Sequence, residues 1–266
     1  MPPSLTNDHQ QRFGGIARLY GEAALERFRT AHVAVIGIGG VGSWAAESLA
    51  RSGVGTLTLV DLDDLCVTNI NRQSHALDDT AGVPKAAAMA GRLAAINPAI
   101  TTHPVAEFYT AKSSERILEG PFDAVIDAID SARPKSHLLA SCVARGIPVV
   151  TCGGAGGRRN AARITLDDLS RTHNDALLNQ VRRDLRAHHG FPSGENGAPP
   201  FGIPAVFSQE RPVYPLADGC VSATRPEDLP AGLRCDAGFG SATHITATFG
   251  LFAAGEVLRQ LAADDR

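Results

Sequence analysis

Short apolar runs bounded by glycine alternate with stretches of helical spacing along the first 150 residues. His32 to Ile36 (HVAVI) reads as a buried parallel strand, and Thr56 to Val60 (TLTLV) as a second that ends on Asp61. Between them, 43–51 has helical spacing, and 22–30 predicts a helix leading into the first strand. Residues 84–96 predict a helix with a proline in its first turn, where the missing N–H costs nothing. A third strand is expected at 101–105, a short helix at 113–119, and a fourth strand at 122–129 (FDAVIDAI). A helix at 134–145 and a strand at 147–152 come next. This repetition implies an α/β fold, a doubly wound and mostly parallel sheet with right-handed crossovers.

Beyond Gly157 the pattern changes. Residues 163–167 predict one more strand, 174–189 a basic helix, and 241–262 a closing helix. The stretch 190–212 holds four glycines and five prolines and reads as a long loop, a feature that is usually functional or mobile. The expected organisation is a Rossmann-like core with an N-terminal helical arm over 1–157. Residues 158–266 then complete the same fold as a basic segment, a Gly/Pro loop and a C-terminal core helix.

Composition narrows the class. With 266 residues, 44% hydrophobic and 20% charged, the chain is long enough for a full core and is neither disordered nor fibrous. A net charge of −3 excludes a polycation but leaves a local basic face open. Cysteines at 66, 142, 152, 220 and 235 form no C-x-x-C pair, so neither zinc nor a thioredoxin-like motif is expected. Their odd count points to free thiols in a reducing compartment. The polar N-terminus has no apolar signal region, and the apolar run 245–254 is about half the ~20 residues of a membrane span. It reads as a buried helix. The expectation is a soluble, cytoplasmic protein, with membrane association left open.

The chemistry begins at Gly37-Ile38-Gly39-Gly40-Val41-Gly42, a G-x-G-x-x-G pattern placed between strand and helix. Glycines there allow a tight turn, backbone approach to phosphate, and close helix–strand packing. Asp61 lies 19 residues past Gly42, at the end of the second strand, where a carboxylate reaches ribose hydroxyls. A nicotinamide site needs little more. Here, however, Arg72 and Lys85 add cations suited to the far phosphates of a triphosphate, and Asp130 adds a carboxylate for Mg²⁺. All three emerge at carboxyl ends of strands, the ligand side of such a sheet.

The string Asp61-x-Asp63, then Asn69-x-x-Arg72-Gln73, with Lys85 and Asp130, resembles the ATP-dependent E1-like adenylating family. That family includes the ubiquitin-activating, ThiF, MoeB and HesA enzymes. Further strings resemble its tRNA threonylcarbamoyladenosine dehydratase branch: Arg12 to Gly15, Arg18 to Gly21, Asp127 to Lys135, Gly153 to Gly157, Val213 to Pro215, and Gly238 to Thr243. The resemblance implies adenylation of the threonyl carboxylate at adenosine 37 of a tRNA anticodon loop, then ring closure with loss of AMP. By matching position, Gly39, Asp61, Asn69, Arg72, Gln73, Lys85 and Asp130 bind ATP and Mg²⁺. A monovalent cation stays open. An N-terminal arginine, Arg12 or Arg18, is implied to reach the phosphates of a neighbouring subunit, hence a homodimer.

Departures from the family matter too. MoeB-type zinc pairs are absent from the sequence. Cys220 and Cys235 lie where E1 enzymes carry a catalytic cysteine, but they have no evident activating partner and read as small buried residues. Seven arginines and four acids make 158–189 net +3, with Arg182, Arg183 and Arg186 on neighbouring turns as candidate RNA contacts. Phe191, Phe201 and Phe207 either help hold the RNA or pack internally. Competing readings are adenylation of a small sulfur-carrier protein, a nicotinamide-dependent oxidoreductase, and a non-catalytic partner of a cysteine desulfurase.

Overall fold

The computed structural model describes residues 5–194, 197–226 and 239–263. Two helices lead in, α1 (Leu5–Tyr20) and α2 (Glu22–Thr30). The order is then β1 (His32–Ile36), α3 (Gly40–Arg51), β2 (Thr56–Val60), α4 (Lys85–Ile96), β3 (Thr101–Val105), α5 (Ser114–Ile117) and β4 (Ala124–Asp127). After these come α6 (Ala132–Arg145), β5 (Val149–Cys152), β6 (Ile164–Asp168), α7 (Ala176–His188), β7 (Pro204–Ser208), β8 (Tyr214–Pro215), β9 (Val221–Ser222) and α8 (Thr243–Ala262). Seven strands form one sheet in the order β3-β2-β1-β4-β5-β7-β6. All neighbours are parallel except β6, which runs antiparallel to β7. This is the expected doubly wound α/β sheet, with an antiparallel edge.

Strand pleat divides the core. Val33 and Val35 of β1 face a cluster with Leu49 of α3, Met89 of α4, and Phe249 and Val257 of α8. Ala34 and Ile36 face the opposite cluster, with Leu138 and Cys142 of α6 and Leu178, Val181 and Leu185 of α7. The apolar run 245–254 is indeed core helix on one side, with Ile245, Phe249, Ala253 and Ala254 buried, although Leu251 and Phe252 are exposed. Among the described residues no helix is long and apolar enough to cross a membrane.

Two sequence readings are corrected. The stretch 190–212 is not all loop: β7 lies inside it, buried between β5 and β6. Its five residues open on Pro204 and are flanked by glycine and proline, so the turn formers mask a strand. Proline at the first strand position loses little, and the strand's register with both neighbours supplies what local pattern does not. In the same stretch Phe201 and Phe207 are core residues, and Phe191 packs on them, which leaves all three as packing groups. The second correction is Cys220, which is exposed, because Asp218-Gly219 turns the β8–β9 hairpin into solvent. Cys235 and Gly238 lie outside the described residues.

Candidate nucleotide site

Register sets the site. Ile36 pairs with Val60 on one side and Asp127 on the other, so β1, β2 and β4 end at one level. The residues just past these strand ends (Gly37, Asp61 and Ala128) therefore converge. The break in strand order between β1 and β4 is the crevice where doubly wound sheets take ligands. Gly37 has φ of 91°, and a Cβ there would stand 2.9 Å from the Ala128 carbonyl oxygen. A Cβ on Gly42 would stand 1.8 Å from the Gly37 oxygen. Both positions therefore exclude a side chain. Helix α3 starts at Gly40, three residues earlier than its apolar spacing implies, with Gly39 at the cap and no side chain capping it. Its first N–H groups are thus available to an anion, and the space beside Gly39 is open.

Asp61 braces this loop. It is 8% exposed; one oxygen accepts the Ile38 N–H at 2.7 Å and the other the Asp63 N–H at 2.9 Å. Burial pushes its carboxyl up, opposed by the Lys85 ammonium 4.0 Å away and by those two N–H groups. Lys85 donates to the Asp63 carboxylate at 2.7 Å, and its backbone N–H to the Asp63 carbonyl at 2.9 Å. Asp61, Asp63 and Lys85 thus form one charged cluster at the head of α4.

The segment after β2 folds over the glycine loop. Asn69 accepts the Cys66 N–H at 3.0 Å through its side chain and the Gln73 N–H at 3.0 Å through its carbonyl. The stem of Arg72 runs past Gly40, and its guanidinium donates to the Thr68 carbonyl at 2.8 Å. Its carbonyl accepts from Trp44 of α3 and Thr246 of α8, each at 3.0 Å, which locks the segment in place. Neither Trp44 nor Thr246 carries a sequence signal for this task. Among the described residues, buried Gln73 has its side-chain oxygen unpaired. Buried His75 likewise has both ring nitrogens unpaired among the described residues, and burial, then Lys85 and Arg92, push its pKa down to about 4. It is a neutral imidazole at physiological pH.

At the end of β4 the Ala128 N–H donates to the Ile36 carbonyl at 2.9 Å, which seats the 128–130 turn against Gly37. Beneath it lies a fully buried ion pair, Lys135 and Asp127 at 2.9 Å. Lys135 also donates to the Ile129 carbonyl at 2.8 Å, and Asp127 accepts from Thr151 at 2.7 Å. Sequence reasoning finds these two residues only within a family-like string; the available signal is an acid ending an apolar strand. Asp130 itself is exposed, its carboxylate unpaired among the described residues. No group of three or more His, Cys, Asp or Glu clusters among the described residues. A single free carboxylate suits a magnesium ion held mostly by phosphate oxygens.

The structure brings together Gly37, Gly39, Gly40, Gly42, Asp61, Asp63, Asn69, Arg72, Gln73, Lys85 and Asp130. It does not bring in the others. Arg12 pairs with Asp8 at 2.7 Å, and Arg18 is exposed further along α1. That helix packs Phe13 against Gly53, past the far end of α3 from the glycine loop. On α7, Arg182 donates to Thr172 and Asn179, while Arg186 donates to the Pro192 carbonyl and lies over the Phe201 ring. Only Arg183 of the three is exposed.

The model of the ThiF family matches residues 14–265. The chain is 47% identical to the tRNA threonylcarbamoyladenosine dehydratase of Escherichia coli, over 96% of this chain and 94% of that protein. It is 45% identical to the dehydratase of the same name from Haemophilus influenzae, over 96% and 95%. Among solved structures, the E. coli dehydratase in complex with ATP superposes with a TM-score of 0.82 at 44% identity, covering 95% of this chain and 94% of that one.

Proposed function

The chain belongs to the ThiF family, and on that premise we propose that it catalyses ATP-dependent dehydration of N6-threonylcarbamoyladenosine at position 37 of tRNA to its cyclic form. The observation that carries the reading is the 47% identity to a dehydratase over 96% of the chain, which spans both the glycine cradle and the part beyond Gly157. ATP is the co-substrate. A threonyl carboxylate oxygen attacks the α-phosphorus and pyrophosphate leaves. An atom of the carbamoyl group then attacks the acyl carbon, and AMP carries away the carboxylate oxygen. The sum is loss of one water from the nucleoside.

Under this reading the N–H groups at the start of α3 receive phosphate, and Asp61 orients the ribose while it holds the loop. Arg72 and Lys85 neutralise charge on the departing pyrophosphate, where fixed cations in a site shielded from water act most strongly. Lys85 exchanges Asp63 for phosphate oxygens. Asp130 would hold a Mg²⁺ ion, which would screen the phosphate charge. Ring closure needs no covalent enzyme intermediate, because the tethered nucleophile has a high effective molarity.

The reading extends to a cytoplasmic homodimer in which Arg12 or Arg18 reaches the phosphates of the neighbouring subunit. Arg182, Arg183 and Arg186 then lie toward the tRNA backbone, and residues 1–157 and 158–266 act as one catalytic unit. A monovalent cation and a cysteine desulfurase partner are its outermost extensions. The test is pyrophosphate release with ATP and either threonylcarbamoylated tRNA or a sulfur-carrier protein ending in glycine. Release with the tRNA alone is expected; release with the carrier alone overturns the reading.

A further inference from the structure

Arg158 stands out among the buried charges. It comes directly after the Gly153–Gly157 turn that leaves β5, is 5% exposed, and makes one hydrogen bond, from Nη2 to the Asn174 carbonyl at 2.6 Å. Its Nε and Nη1 have no partner among the described residues. A guanidinium stays charged in a protein, and burying its donors without acceptors is costly, so such a group points to an acceptor that arrives with a ligand.

The neighbouring charges are already engaged. Asp175 accepts the Gly154 N–H at 2.8 Å and the Leu178 N–H at 2.9 Å, both through its carboxylate. Glu210 accepts the Arg159 N–H at 2.9 Å and the Asn160 N–H at 3.0 Å. Both acids soften the charge of Arg158 from a distance without pairing with it. The contact with Gly154 is so close that a Cβ on Gly153 would stand 2.2 Å from the Asp175 oxygen. Asp175 therefore fixes the turn that carries Arg158.

Position selects the ligand. The phosphate-binding groups proposed above lie around β1 and β2, whereas Arg158 comes after β5, on the far side of β4. The group that attacks the α-phosphorus must approach from the side the phosphates do not fill. A buried arginine cannot track an RNA backbone across the surface, whereas a carboxylate on a short tether can enter. We infer that Arg158 binds the threonyl carboxylate of the substrate nucleoside through Nε and Nη1, and so selects and orients the group to be adenylated. The inference rests on the dehydratase reading.

The test uses the full-length protein, ATP and threonylcarbamoylated tRNA, with the free nucleoside and its methyl ester as competitors. Wild type is assayed first. Absence of ATP-dependent dehydration overturns the functional reading itself, and this assignment with it. With an active wild type, R158Q raises KM for the tRNA about tenfold to hundredfold while KM for ATP moves less than about twofold. Wild type is inhibited better by the acid than by the ester, R158Q loses that preference, and R158K recovers part of it. A folded R158Q with the wild-type KM and the wild-type acid preference overturns the assignment alone. If R158Q does not fold, R158K carries the same comparison. Failure of both to fold makes the guanidinium a part of the fold and also overturns the assignment.

Discussion

Replacing Lys135 with methionine isolates the buried pair beneath the 128–130 turn. Lys135 and Asp127 are both fully buried, 2.9 Å apart. Removing one member of such a pair costs about 3–5 kcal/mol, because the other charge is left without a partner. Burial already pushes Asp127 up from its ordinary 3.8, and Lys135 is the first of the influences that hold it down. Without the lysine, Asp127 takes up a proton in the folded state while remaining ionised in the unfolded chain. From a reference of 3.8, neutralising it requires about 4.4 kcal/mol at pH 7 and about 1.6 kcal/mol at pH 5, at 1.36 kcal/mol per unit. The folded variant binds the extra proton, so its stability falls as pH rises through this window. Urea denaturation of wild type and K135M at both pH values gives the comparison. K135M is expected to lose about 3–5 kcal/mol at pH 7 and markedly less at pH 5. An equal loss at both, or a loss below about 1 kcal/mol at pH 7, refutes an ionised, lysine-dependent Asp127.

The same geometry sets other outcomes. K85A should lower AMP formation about hundredfold or more with a smaller loss of Tm than K135M, since Asp63 is solvent-exposed and the buried Asp61 keeps its two backbone N–H donors; turnover near wild type removes Lys85 from the phosphate site. G42A places a Cβ 1.8 Å from the Gly37 oxygen, so it should cost about 3 kcal/mol by thermal denaturation and weaken ATP binding. An unchanged Tm contradicts the close packing of that turn. R183E should weaken tRNA binding and reduce its salt slope by about one, leaving ATP binding unchanged. R182E should also lower Tm, because Arg182 holds Thr172 and Asn179. Equal salt slopes for R183E and wild type rule out a phosphate contact by Arg183.

How legible the molecule is in its sequence depends on whether the information is local. Strands such as HVAVI and TLTLV announce themselves, since a strand buried on both faces must be apolar throughout. The glycine loop is equally plain, because two of its positions exclude a Cβ. β7 is hidden, because its place is set by pairing with β5 and β6 rather than by its own five residues. Asp61 and Asp130 can be found because they closely follow strands that end in one register, and Arg72 and Lys85 because they lie on the segment that joins β2 to α4. Arg158, Asp175 and Lys135 cannot be ranked that way. An arginine or lysine in sequence looks exposed until packing removes its water, and only the fold shows which ones that happens to.

Loss of water from a tRNA nucleoside, driven by ATP, is the reaction to be measured most directly. Purified protein is incubated with ATP, Mg²⁺ and threonylcarbamoylated tRNA, and the digested nucleosides are weighed by mass spectrometry. The account predicts that the modified adenosine loses the mass of one water, with one AMP formed for each nucleoside converted. An unchanged nucleoside mass in the presence of folded, ATP-bound protein contradicts it.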